Sequence, residues 1–168
     1  MPDIIANIPC VVEVLNDVID TLGSVKRANG YHIDLQPEKP KPRMGNTWVD
    51  GRAVVWLGKG ILHERQLNQY EDVWQDVMIR AHVIATDAEG DDIETKLWTV
   101  AADIEHVLTH DDTVRKRGRW AITTEWQETE PLPREADSNE ADFDVRFRCH
   151  VRTRLGNRFR SGTHPSGA

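Results

Sequence analysis

The chain has 168 residues, 39% of them hydrophobic and 29% charged, with a formal net charge of -7; that length supports one core that buries roughly 70% of the surface of the unfolded chain. The acid excess argues against a binder of duplex nucleic acid, which would draw most of its affinity from neutralising phosphates. No stretch approaches the roughly 20 apolar residues needed to cross a bilayer, the opening MPDIIANIPCVVEVL lacks a signal peptide's basic start and cleavage site, and Cys10 and Cys149 lie far apart in apolar surroundings, so a cytosolic protein with reduced thiols is expected.

Residues 9–22 place Val11, Val12, Leu15, Val18, Ile19 and Leu22 on one stripe at helical spacing, with Pro9 in the first turn and Gly23 as the stop. Residues 31–35 alternate briefly and predict a strand. The segment 36–51 carries Pro37, Pro40 and Pro42 and reads as a loop that cannot enter a sheet. Residues 52–57 form a short apolar strand, which Gly58-Lys59-Gly60 should end as a turn.

From 73 to 85 the odd positions are mostly apolar (Val73, Val77, Ile79, Ala81, Val83, Ala85), the period of a long, half-buried strand. A turn at 87–90 leads to a helix capped by Asp91 with Glu94, acids that suit the positive end of the helix dipole. Its buried stripe is Ile93, Leu97, Val100, Ile104 and Val107. A basic loop of Arg115, Lys116 and Arg117 precedes a strand over 120–126, and residues 131–140 form a polar, acidic surface loop. In the last strand Phe143, Val145, Phe147, Cys149 and Val151 alternate with Asp144, Arg146, Arg148, His150 and Arg152, giving one core face and one mostly cationic face. Residues 156–168 show no period and are expected to be a flexible tail after a single domain over 1–155.

The order of elements predicts an α+β fold, a single largely antiparallel sheet with two main helices packed on one face. Catalytic patterns are weak. His106 and His110 stand four apart, but without the glutamate of the zinc-protease motif; Asp91-Asp92 and Asp142/Asp144 suit a cap and strand alternation; Cys149 and His150 are strand neighbours and face opposite ways. No catalytic residue, cofactor or metal ligand is expected. Trp56, Trp98 and Trp120 suit a core, whereas Trp48, in the proline-rich segment, either meets a partner or folds over its own core.

What stands out is charge. Between 125 and 144 eight acids face the single Arg134, and between 145 and 160 there are six arginines and no acid. Two unlike surfaces on one molecule suit a head-to-tail contact that closes into a ring; local pairing between them is the alternative. Trp48, Arg115, Lys116, Arg117, Arg146, Arg148, Arg152 and Arg154 are the candidate interface residues.

The opening helix IIANIPCVVEVLNDVIDTL, the unit WQDVMIRAHVIATDAEGDDIETKLWTVAADIEHVL, the strand RWAITTEW and the closing ADFDVRFRCHVRTRL together resemble the tail terminator, or tail completion, proteins of tailed bacteriophages. The likeness is one of order and spacing and extends over residues 4–155. It implies a homo-hexameric ring that caps the tail tube, stops tube growth and joins the tail to the head connector or neck. The expected partners are then further copies of the chain, the tube protein and a neck protein, in a virion assembled in the host cytoplasm, with no membrane and no sequence-specific nucleic acid. Another neck or head completion protein, and more remotely a single-stranded nucleic-acid binder using the arginine strand, are the alternatives.

Overall fold

The computed structural model describes residues 10–41, 48–66, 70–86, 90, 92–110, 121–154 and 157–161. The first helix, α1 (Cys10–Leu22), buries Cys10, Val14, Leu15, Val18 and Leu22, one stripe at the 3.6-residue period. It ends where Gly23 N–H donates to the Ile19 carbonyl and Ser24 Oγ donates to that of Thr21. Burial, aided by the charge of Glu13, pushes the Cys10 thiol up to about 11.

The strand expected at 31–35 is absent. Ile33 and Leu35 are buried as anticipated, but their backbone is satisfied elsewhere. His32 N–H donates to Asp103 Oδ2 at 2.8 Å, Leu35 N–H to the Val25 carbonyl at 3.0 Å, and Lys26 Nζ to the Leu35 carbonyl at 2.6 Å. The strand comes next instead, as β1 (Gln36–Glu38), parallel to the start of β2 (Arg52–Gln66). Pro37 therefore does lie in a sheet, at its edge, where a missing N–H deprives no neighbour. The connection needs Gly51: its φ is +82°, and a Cβ there would run into the Asp34 carbonyl.

The strand predicted to stop at Leu57 runs on for 15 residues. It pairs antiparallel with β3 (Tyr70–Ile84), and Gly58-Lys59-Gly60 is a bulge within it. The backbone comes so close there that a Cβ on Gly58 would lie 3.1 Å from Met78 Cγ and one on Gly60 3.0 Å from Gln75 Oε1. Gln75 Nε2 donates to the carbonyls of Gly58 at 3.0 Å and Lys59 at 3.4 Å, so β3 fastens the bulge. A local glycine pair looks the same in a turn and in a bulge; only the cross-strand partner separates the two.

Helix α2 (Ile93–Thr109) buries Leu97, Val100, Ala101, Ile104, Val107 and Leu108. Its cap is Asp92, one residue after the expected Asp91, which lies outside the described residues; the Asp92 carboxylate accepts Thr95 N–H at 2.7 Å, which holds it below the ordinary carboxylate range. Lys96, also buried, donates to Asp50 Oδ2 and to the Ile84 carbonyl, tying the helix to the starts of β2 and the end of β3. Then come β4 (Ala121–Pro131), longer than predicted, β5 (Glu140–Arg154), and β6 (Asn157–Ser161) within the supposed flexible tail. β6 has no hydrophobic period because it is held by backbone pairing to the end of β5.

The strands form one mixed, mostly antiparallel sheet in the order β1-β2-β3-β5-β4, an α+β fold with the helices packed on the sheet. β3 occupies one side of β5 along its whole length, so β4 and β6 share the other. The core joins both helices to a single face, through Val55 of β2, Val77, Ile79, Ala81 and Val83 of β3, and Phe143, Val145, Phe147, Cys149 and Val151 of β5. Strands of 15 residues reach about 50 Å, against about 20 Å for α1 and about 25 Å for α2. The β2–β3 hairpin therefore outruns the helices.

Candidate assembly surfaces

The face opposite the helices is built from the even positions of β3 and β5, which stand directly opposite one another: Asp72 to Arg152, Asp76 to Arg148, Arg80 to Asp144, His82 to Asp142. Each pair closes. Arg152 grips Asp72 with two bonds of 2.8 and 3.0 Å, Arg148 Nε meets Asp76 at 2.9 Å, Arg80 holds Asp144 with two bonds of 2.7 Å, and His82 Nδ1 lies 2.9 Å from Asp142. Arg146 reaches across the other way to Glu128 of β4 at 3.3 Å. Burial alone would raise the pKa of Asp72, 2% exposed, but the hydrogen bond and charge of Arg152, with His150 beside it, hold it below the usual range. Arg80 and Arg148 are shifted up by their bonds to Asp144 and Asp76.

The cationic face expected from β5 alone is thus a neutralised ladder whose polarity reverses along its length. Arg146, Arg148 and Arg152 are committed within the sheet: Arg146 pairs with Glu128 of the acidic stretch, as the local alternative expects, whereas Arg148 and Arg152 bond the distant Asp76 and Asp72 of β3. Arg154 ends β5 with its side chain outside the described residues, as are Arg115, Lys116 and Arg117. Trp48 is half-buried, 5.5 Å from the His82 ring with the Arg52 guanidinium 4.8 Å above it, and so is folded over its own sheet. Trp98, read as core, is 46% exposed.

Neighbouring strands add rings to this face that β5 lacks. Trp74 lies between His150 at 4.8 Å and His63 at 5.0 Å, and Arg80 stands 5.9 Å over Trp56. Aromatics beside arginines on a sheet suit stacked bases. Yet Asp72, Asp76, Asp142, Asp144, Glu125, Glu128 and Glu130 outnumber Arg80, Arg146, Arg148 and Arg152 at the outward register positions, and an acidic face repels the phosphates a strand would bring.

The edges are different. β1 pairs only with Arg52, Ala53 and Val54, so among the described residues the outward edge of β2 has no strand beside it from Val55 onward. Six consecutive residues there, from Gly58 to His63, are exposed. Ile61 and Leu62 are 37% and 51% exposed although neighbours on a strand point to opposite faces, so β2 is open on both faces at that level while its partner Val73 on β3 stays buried. At the far side of the sheet β4, among the described residues, pairs only with β5. It exposes Glu125, Glu128 and Glu130, and Trp126, 43% exposed, has its indole N–H on Thr129 Oγ1 at 3.1 Å. Composition had marked the acids; the β2 edge was hidden by reading Gly58-Lys59-Gly60 as a turn.

Elsewhere, His106 and His110 stack at 4.4 Å on the exposed end of α2, and among the described residues no group of three or more His, Cys, Asp or Glu is placed to hold a metal. Cys10 and Cys149 are separate buried thiols. Among the described residues no helix is long and apolar enough to cross a membrane. No protein-family model matches the chain, and no curated protein matches it.

Proposed function

We propose that the chain is a structural subunit of a tailed bacteriophage: a terminator whose copies form a ring on the finished tail tube, halt its growth and present a surface to the head neck. The observation that carries this reading is the pair of open strand edges on opposite sides of one sheet, β2 with exposed apolar residues and Lys59, β4 with a row of glutamates. A subunit with two unlike edges joins copies head to tail, and such contacts generate a ring when the rotation closes. The neutralised ladder agrees with a structural role, because its ion pairs hold strands together. The order and spacing of elements that resemble tail terminators supply the tube as the ring's seat.

The test is genetic and visual. Removing the chain from the phage that encodes it should leave tails of abnormal length in electron micrographs of lysates. Tails of normal length beside unjoined, filled heads would instead assign it to head completion and overturn the terminator reading.

A further inference from the structure

We infer that the β2 bulge carrying Lys59 docks on the acidic edge of β4 in a second copy of this chain, with Glu130 as its main counterpart. The inference deepens the reading above and rests on its claim that copies join.

Four observations carry it. The bulge is built rather than incidental: Gln75 holds the Gly58 and Lys59 carbonyls, and both flanking glycines sit where a Cβ would press on Met78 or Gln75. Bulges at sheet edges re-aim side chains, and this one presents exposed Lys59 beside exposed Ile61 and Leu62.

The β4 edge has the complementary character. Glu128 is engaged by Arg146 at 3.3 Å and Glu125 stands opposite Arg148. Glu130, however, stands opposite Asp144, whose carboxylate Arg80 already holds, so the residue across from Glu130 is no cation. An incoming cation meets less competition there than at Glu125 or Glu128, so Glu130 gains most from Lys59. Exposed Trp126 on the same strand offers an apolar surface to Ile61 and Leu62, and an aromatic anchor of this kind is favoured at interfaces.

The two edges lie on opposite sides of the sheet, so a chain's β2 cannot reach its own β4; joining β2 to β2 or β4 to β4 sets like charge against like, so the unlike edges of two copies pair and the contact is heterologous. Finally, each edge has two register breaks, at Leu57/Gly60 and Leu62/Glu64 in β2 and at Ala121/Thr123 and Trp126/Glu128 in β4. Interrupted edges resist open-ended strand stacking, so side chains set this contact, and charge should govern it.

The experiment uses the full chain in sedimentation velocity at low and high salt. Lys59→Glu and Glu130→Lys should each weaken self-association about tenfold or more, the effect of opposing like charges, while thermal melting shows both still folded. The double variant should regain association, and an equimolar mixture of the two single variants should assemble, because each supplies the edge the other needs. Wild-type association by either folded single variant, or no recovery in the double variant and the mixture, would overturn the assigned contact while leaving ring formation standing. A wild-type chain that stays monomeric even with tail tubes would overturn both.

Discussion

β3 and β5 pair along their full length without one break in register, whereas β2 and β4, in the same sheet, each carry two. The inner strands are sealed by the helices on one face and by their own ion pairs on the other. The outer strands keep exposed apolar and charged residues on broken edges. The contrast separates two tasks within one sheet: the centre determines the fold, and the margins are left for other molecules.

The contrast breaks most visibly in the core. Phe147, 1% exposed, belongs to the core shared by the sheet and the helices, and Phe147→Ala should cost about 3–5 kcal/mol by leaving a cavity, read by chemical denaturation. Next comes the ladder. Arg152→Leu leaves the buried Asp72 carboxylate with His150, at 3.1 Å, as its remaining neighbour and should cost about 3 kcal/mol, the low end for a broken buried pair because His150 stays and Arg152 keeps some exposure. Replacing both partners by leucine should return most of that loss. A double variant as unstable as the single would mean that the pair holds up more than itself.

Acid sharpens the comparison further. Asp72 has a depressed pKa in the folded state, so its contribution is present above the ordinary aspartate value of about 3.9 and is lost as pH falls below it through the folded-state value. The stability difference between the wild type and Asp72→Asn should therefore be constant from neutral pH to about 5 and shrink below about 4. A difference that does not change with pH would place the worth of Asp72 in packing. At the margins, Glu130→Lys should alter stability by less than about 0.5 kcal/mol, since it is exposed.

How much was readable in the sequence follows the same division. β5 announced itself because its alternation is complete and both faces are used, and α1 and α2 because their stripes repeat over three or more turns. Residues 31–35 misled because Ile33 and Leu35 are buried as in a strand while their backbone bonds go to Asp103, Val25 and Lys26. The arginines of β5 looked unopposed because Asp76 and Asp72 are 72 and 80 residues away in the chain. The β2 edge was invisible for a related reason: Gln75, which makes a bulge of what looks like a turn, lies on the next strand. Local patterns revealed elements; charge partners and edges depend on which strands become neighbours.

Hydrogen exchange on the assembled chain, compared with the dissociated chain, tests most directly whether the margins join copies. Protection should rise at 58–63 and 121–131, with β3, β5 and the outer surface of α2 unchanged. Protection gained on the β3–β5 face or along α2, with both edges exchanging as before, would contradict it.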